Sequence, residues 1–544
     1  MEADLVIHNA RIYTVDSSFS VAEAIAIKDG MILKTGTDEI ILNEFKARET
    51  KDAKGKFIFP GFIDAHCHFL NYGLGLKQAG LAGTKSFNEV IEKVAEFSKT
   101  NKDEWIIGRG WDQNDWVIKG FPDRRRLDSL FPNTPVILTR IDGHAALVNG
   151  EALKRAAINH TTEVPGGEIQ KYRVTRLPQN MNDLLSGILI DNAVELVTNK
   201  IPLPSKEQLK QALLSAQKNC LAVGLTTIDD AGLKKYEIDV IDDLQKKKEL
   251  KMRVYAMLTP DKENLDHYLK NGIYKTDYLN VRSFKFYADG ALGSRGACLL
   301  SDYNDQKDWK GFLLNEEEYF EENADLMREK GFQMNTHCIG DSAVRLISQI
   351  YGADSLSVIG GIDEGVKSEA AKRRWRIEHA QVIDKNDFKY FDQFGIIPSV
   401  QPTHATSDMY WVEKRLGKER IKYAYAYKAL LKAAGMLALG TDFPVEDISP
   451  FKTFYAAVYR KDAKGFPEGG FQMENALTRE ETIKGMTIWA AYSNFEEKEK
   501  GSLEKGKFAD LLILDTDLMK CKEDQILRAK VLSAFIGGEE VFKQ

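Results

Sequence analysis

Read from end to end, the chain changes its hydrophobic period twice. Near the start, DLVIHNARIYTVD and VAEAIAIKDGMILKTG alternate apolar and polar positions around an Asp–Gly turn, and near the end KGKFADLLILDTD and VLSAFIGGEEVF do the same. A period of two is that of a strand with one buried face. Strands at both ends of one chain predict a small β-sandwich built from residues 1–56 and 495–544, with the rest inserted into it.

From residue 57 to 494, short apolar runs alternate with amphipathic helical stretches, the βαβ pattern of a parallel sheet. Eight runs qualify as strands: FIFPGFIDAH, GLTTIDDAG, KMRVYAML, RSFKFYADG, GFQMNTH, RRWRIEH, GIIPSV and MLALGTD. Eight such units closing on themselves make a (β/α)8 TIM barrel, an α/β fold whose active site lies where the strands end. The first two runs are separated by residues 70–223, too long for an ordinary βα connection. That stretch holds the strand-like WIIGRGW and PVILTRI and the helical SFNEVIEKVAEF, and it predicts an insertion folded over the barrel mouth.

A chain of 544 residues exceeds what one core organises, in agreement with this division. The formal charge of -6 excludes a basic nucleic-acid surface and a polybasic membrane anchor. No apolar run is long enough to span a bilayer, and Met1-Glu2-Ala3-Asp4 leads straight into a strand without a signal-peptide core, so the expected location is the cytoplasm. The five cysteines (Cys67, Cys220, Cys298, Cys338, Cys521) form no CxxC pair, which excludes a disulfide framework and a cysteine-type zinc site. Cys67 and Cys338, beside histidines of interest, read as small buried side chains.

The sharpest local signal is Asp64-Ala65-His66-Cys67-His68 at the end of the first barrel strand. Side chains alternate along a strand, so His66 and His68 face the same way and can share one metal ion. Alone, such a pair is as readily two polar residues at a strand end. Position decides. Of nine histidines, His66 and His68 end the first predicted strand, His337 the fifth and His379 the sixth, and Asp442 ends the eighth. In a closed barrel those ends converge, and imidazoles with a carboxylate suit zinc or another first-row divalent metal, one or two ions per chain.

Lys285 lies between Phe284 and Phe286, so it faces the barrel interior if they face the helices. Two readings stand for a buried lysine. Its neutral amine can capture CO2 as a carbamate able to bridge two metal ions, or its ammonium pairs with a carboxylate such as Asp229 or Asp289.

In order along the chain, GFIDAHCHF, GRGWDQNDW, DGHAALVN, FYADGALGSRGA, NTHCIGDSAV, RRWRIEHAQV, SVQPTHATSDM, LALGTDFPVE and KGKFADLLILD resemble the amidohydrolase superfamily, and more narrowly its family-3 branch with the N-substituted formamide deformylase-like enzymes. The resemblance covers nearly the whole chain. It implies a barrel with a flanking β-sandwich, a first metal on His66, His68 and Asp442, a second on His337 and His379, and a carboxylated Lys285 between them.

The expected activity is hydrolysis of a C–N bond by a metal-activated hydroxide, with Asp442 accepting the proton of the water and passing it to the departing amine. The expected partner is a small molecule, with neither nucleic acid nor membrane; two copies of such a barrel can pair as a homodimer. Trp111, His144, Arg295 and His404 are candidate substrate contacts, each with a second reading as a stabilising residue of its loop. Asp341 is expected as a helix N-cap. The glycines of DGALGSRGA lack the context of a dinucleotide fingerprint, and no P-loop or HExxH motif occurs. Three rivals remain: a mononuclear deaminase of a heterocycle using His66, His68 and Asp442, a metal-independent glycosidase using Asp229 or Asp230 with Glu378, and a non-catalytic binding protein on the same barrel.

Overall fold

The computed structural model describes residues 1–172, 180–353 and 370–544. Its centre is a parallel barrel whose strands run β1 (Phe62–Cys67), β2 (Leu225–Leu233), β3 (Arg253–Leu258), β4 (Leu279–Tyr287), β5 (Gln333–Cys338), β6 (Arg376–His379), β7 (Ile397–Val400) and β8 (Ala438–Leu439), hydrogen-bonded in chain order. The Asp442 amide donates to the His66 carbonyl at 2.7 Å, and the Asp64 carboxylate takes the Thr441 amide and hydroxyl at 2.9 and 2.7 Å, which joins β8 back to β1. At this seam Gly440 has no room for a side chain: a Cβ there would lie 2.5 Å from the His66 nitrogen. Nearly every strand residue is buried, as expected where helices cover one face and the barrel interior the other.

Along β4 the outward Phe284 and Phe286 pack on Phe332 and on Tyr319 of the following helix, so Lys285 turns inward as its place in the alternation predicts. The helix Asp341–Tyr351 buries Ala343, Val344 and Ile347 on one stripe. Its N-cap is Gly340. Asp341, expected there, is the first helical residue, and its carboxylate accepts the Leu300 amide at 2.9 Å, because a neighbouring loop needs that acceptor more than the helix does.

The first predicted strand divides in two. Phe57–Pro60 closes the long strand Lys46–Pro60 of the terminal sheet, and β1 starts after Gly61, where a Cβ would meet the Thr226 hydroxyl at 2.1 Å. Strands of both termini lie on one hydrogen-bonded sheet of eight. Ile7, Ile27, Ile58, Leu511 and Phe535 from the two ends share one core on it. Arg253 of β3 ties this sheet to the barrel through Asp510 at 2.6 and 2.9 Å.

Between β1 and β2 the chain builds a second sheet of six strands, including Ile106–Trp111, Val136–Arg140, Ala145–Val148 and Leu185–Asp191. It has its own apolar core, with Trp111, Leu138, Leu147 and Ile190 on one side. The helix Lys206–Ala222, begun by a capping box of Ser205 and Gln208, instead packs Leu209, Leu213 and Cys220 into the barrel core. Among the described residues no helix is long and apolar enough to cross a membrane.

Candidate active site

The strand ends open into a cavity of about 620 Å³ lined by barrel residues and by the second sheet. His66, His379 and Asp442 meet at its base, each offering a ligand atom within 4.8 Å of the others. His68 and His66 approach one carboxylate oxygen of Asp442 at 3.3 and 3.7 Å, so the two histidines of the strand end do share a face. The rings of His337 and His379 lie 4.6 Å apart, and the Lys285 amine is 3.3 Å from His66 Nε2. Residues spread from position 66 to position 442 therefore surround one small volume. His379 and Asp442 take positive φ angles, 71° and 60°, a conformation uncommon for non-glycine residues.

The far sides of the imidazoles are held. His66 Nδ1 donates to Glu378 at 2.5 Å and His379 Nδ1 donates to Gln401 at 2.7 Å, which leaves each Nε2 as an acceptor facing the centre, that of His66 3.3 Å from the Lys285 amine. Burial, against the pull of nearby carboxylates, drives the His66 pKa down to about 4 and His379 and His337 well below their ordinary value, so all three imidazoles are neutral near pH 7. Burial alone would raise the Asp442 carboxyl, but His68, 3.3 Å from Oδ1, and the surrounding histidines hold it well below the usual range. Asp442 Oδ1, His337 Nε2 and His404 Nε2 are buried with no hydrogen-bond partner. Unpartnered buried acceptors are costly in a folded protein, and a cation between them removes that cost. The donor set fits a divalent metal.

Lys285 is fully buried, and desolvation lowers its pKa to about 8. Neither carboxylate expected as its partner serves it. Asp229 is bonded to Arg376 at 2.9 Å and Asn494 at 2.6 Å, and Asp289 accepts the amides of Cys298, Ile339 and Gly340 at 2.8, 3.0 and 2.8 Å. The same bonds, with Asp230 taking the Leu70 amide at 3.0 Å, keep all the proposed glycosidase acids out of the cavity lining.

Of the candidate substrate contacts, His144 and His404 line the cavity. His144 Nδ1 bonds Asp191 at 2.7 Å, and His404 Nε2 stands 3.6 Å from the second oxygen of Asp442. Trp111 and Arg295 do not line it. Trp111 is 1% exposed, packed against Trp116 and Phe121, and its indole N–H donates to the Leu138 carbonyl at 2.7 Å; the apolar ring is worth more inside the core of the second sheet than at a wet rim. Arg295 pairs with Asp305 at 2.9 Å in the loop after β4, whose turn directs it away from the mouth. Cys67 and Cys338 are buried and bonded to backbone carbonyls, as small core residues are.

Residues that hold the ligands escaped the sequence reading. Glu378 was weighed only as a glycosidase acid, and Gln401, one residue past β7, was not considered. The usable signal was position: both stand at strand ends like the histidines they orient.

Fold and site together define the class: a metal-dependent hydrolase on a (β/α)8 barrel. The chain belongs to the amidohydrolase family, whose model matches residues 49–542. It is 33% identical over 99% of its length to the protein LONG AFTER FAR-RED 3 of Arabidopsis thaliana, covering 92% of that protein. It is 24% identical to the N-substituted formamide deformylase of Arthrobacter pascens, over 98% of this chain and 97% of that one. A crystal structure of a metal-dependent hydrolase from Pyrococcus horikoshii aligns with TM-score 0.75 and 26% identity, over 95% of this chain and 99% of the other.

Proposed function

We propose that the protein hydrolyses the C–N bond of an amide, an N-formyl or N-acyl amine, or a cyclic amide. The observation that carries this reading is the convergence of His66, His379 and Asp442, each with a donor atom within 4.8 Å of the others, beside buried atoms of Asp442, His337 and His404 that have no hydrogen-bond partner. His66, His68 and Asp442 would hold one ion and His337 with His379 a second, zinc being the ion their nitrogen and oxygen donors suit best; a carboxylated Lys285 would serve both. When bound, such an ion acidifies water and polarises a carbonyl.

The chain's own groups do the remaining work. Asp442 accepts the proton of the attacking water and returns it to the departing nitrogen. Glu378 and Gln401 fix the tautomers of His66 and His379. His144, raised above its ordinary pKa against the burial that would lower it because Asp191 holds its other nitrogen, can donate to the substrate carbonyl. The name of the Arthrobacter relative, a formamide deformylase, agrees with this bond type.

A second reading has its own support: among the described residues the tight ligand group is a single trio, His66, His379 and Asp442, which suits a mononuclear deaminase. Elemental analysis with electron density at Lys285 separates the two. Two ions and a carbamate support the amidohydrolase mechanism drawn here, and one ion with a plain lysine supports the deaminase. A panel of N-formyl and N-acyl amines, cyclic amides and amino-heterocycles, assayed with and without chelator, tests the activity. Turnover that survives complete removal of metal overturns both.

A further inference from the structure

Two arginines line the cavity, and they are treated in opposite ways. Arg140 is saturated: its guanidinium reaches Gln113 at 2.8 Å, Asp142 at 2.5 Å and Asp112. Arg109, one strand away in the same sheet, makes one hydrogen bond, from a terminal nitrogen to the Ile141 carbonyl at 3.1 Å. Its Nε is buried without a partner, and it forms no ion pair among the described residues. The carboxylates whose charge it feels are Asp442, already approached by His68 and His404, and Asp142, already bonded to Arg140. Burial pulls this guanidinium down from its ordinary value, the sign of a cation withdrawn from water without compensation. Beside it Gly143 leaves an open approach, since a Cβ there would lie 3.7 Å from both terminal nitrogens.

We infer that Arg109 is a substrate-binding residue that receives a carboxylate on the amide substrate, so that the preferred substrates are carboxylate-bearing amides. A planar guanidinium with spare N–H groups is the usual receptor for such a group. Five of the acids lining the cavity hold partners of their own: Asp112 and Asp142 on Arg140, Asp191 on His144, Asp408 on Gln381 and Tyr425, and Glu446 on Ser407.

This inference rests on the hydrolase reading above, and the test keeps the two apart. The metal-loaded full chain is assayed on matched pairs, N-acetylglycine against N-ethylacetamide and N-formylglycine against N-ethylformamide. The carboxylate member should be favoured in kcat/KM by about tenfold or more, mainly through KM, and R109Q should erase that ratio while R109K keeps part of it. Equal use of both members, or a ratio unchanged in R109Q, overturns the inference; an equal loss on both members assigns Arg109 to the shared carbonyl instead. Independently of turnover, N-acetylglycine should raise the thermal midpoint of the wild-type chain but not of R109Q. If no amide is cleaved and that shift persists, the hydrolase reading fails and the anion site stands; if the wild-type chain shows no shift, the anion site fails.

Discussion

The barrel interior holds two buried clusters of charge that differ in one respect. Lower down, Arg376 spends its guanidinium on Asp229, Glu378, Ser399, Asn494 and the Ala65 carbonyl, all of them buried. At the mouth, a few residues further along the same strands, Asp442, His337 and His404 keep buried atoms with nothing to bond. Burial is comparable, yet the floor charges pair closely within the fold, Arg376 Nε lying 2.6 Å from Glu378 Oε1 and Nη1 2.9 Å from Asp229, whereas the histidines nearest the Asp442 carboxylate stand 3.3, 3.6 and 3.7 Å away. A satisfied network holds the barrel together; an unsatisfied one is a site. Glu378 bridges them: Oε1 faces Arg376, and Oε2 accepts from both Arg376 and His66.

The contrast predicts that mouth substitutions cost activity and floor substitutions cost stability. Asp442→Asn should lower kcat by about 10²–10⁴-fold, the usual worth of a general acid–base group, while the melting temperature changes little. Wild-type rates in that variant, on a substrate the native enzyme turns over, would remove Asp442 from its role. Arg376→Met should do the reverse, destabilising the fold by about 3–5 kcal/mol in denaturant titrations because Asp229 and Glu378 are left buried and unpaired. An unshifted unfolding midpoint would mean that the floor is not held by its charges.

Gln401→Ala lies between the two. Freed of its partner, His379 should bind metal about 10–100-fold more weakly, read by competition with a chromogenic chelator, with stability almost intact. The smallest effect belongs to Arg295→Ala, a partly exposed pair with Asp305 outside the cavity: about 0–1 kcal/mol of stability and no change in KM. A several-fold rise in KM there would return Arg295 to the substrate contacts.

Much of the barrel was legible in the chain, because strand and helix periods are local. The runs from GLTTIDDAG to MLALGTD each overlap their strand, and Lys285 is inward for the reason its phenylalanine neighbours indicate. The convergence of His66, His379 and Asp442 was legible too, since each stands at or just past a strand end and closure brings such ends together. The division at Gly61 and the burial of Trp111 were not legible, because each depends on what packs against a residue from elsewhere in the chain.

By itself, then, the sequence determined which residue types stand at the barrel's rim, since spacing along a strand decides which side chains share a face. Only the tertiary structure decided which of them find partners. Whether Arg140 is saturated and Arg109 is not, or whether a strand-end carboxylate meets an amide or an imidazole, depends on distances across hundreds of residues, and a hydrogen bond exists only over a few tenths of an ångström.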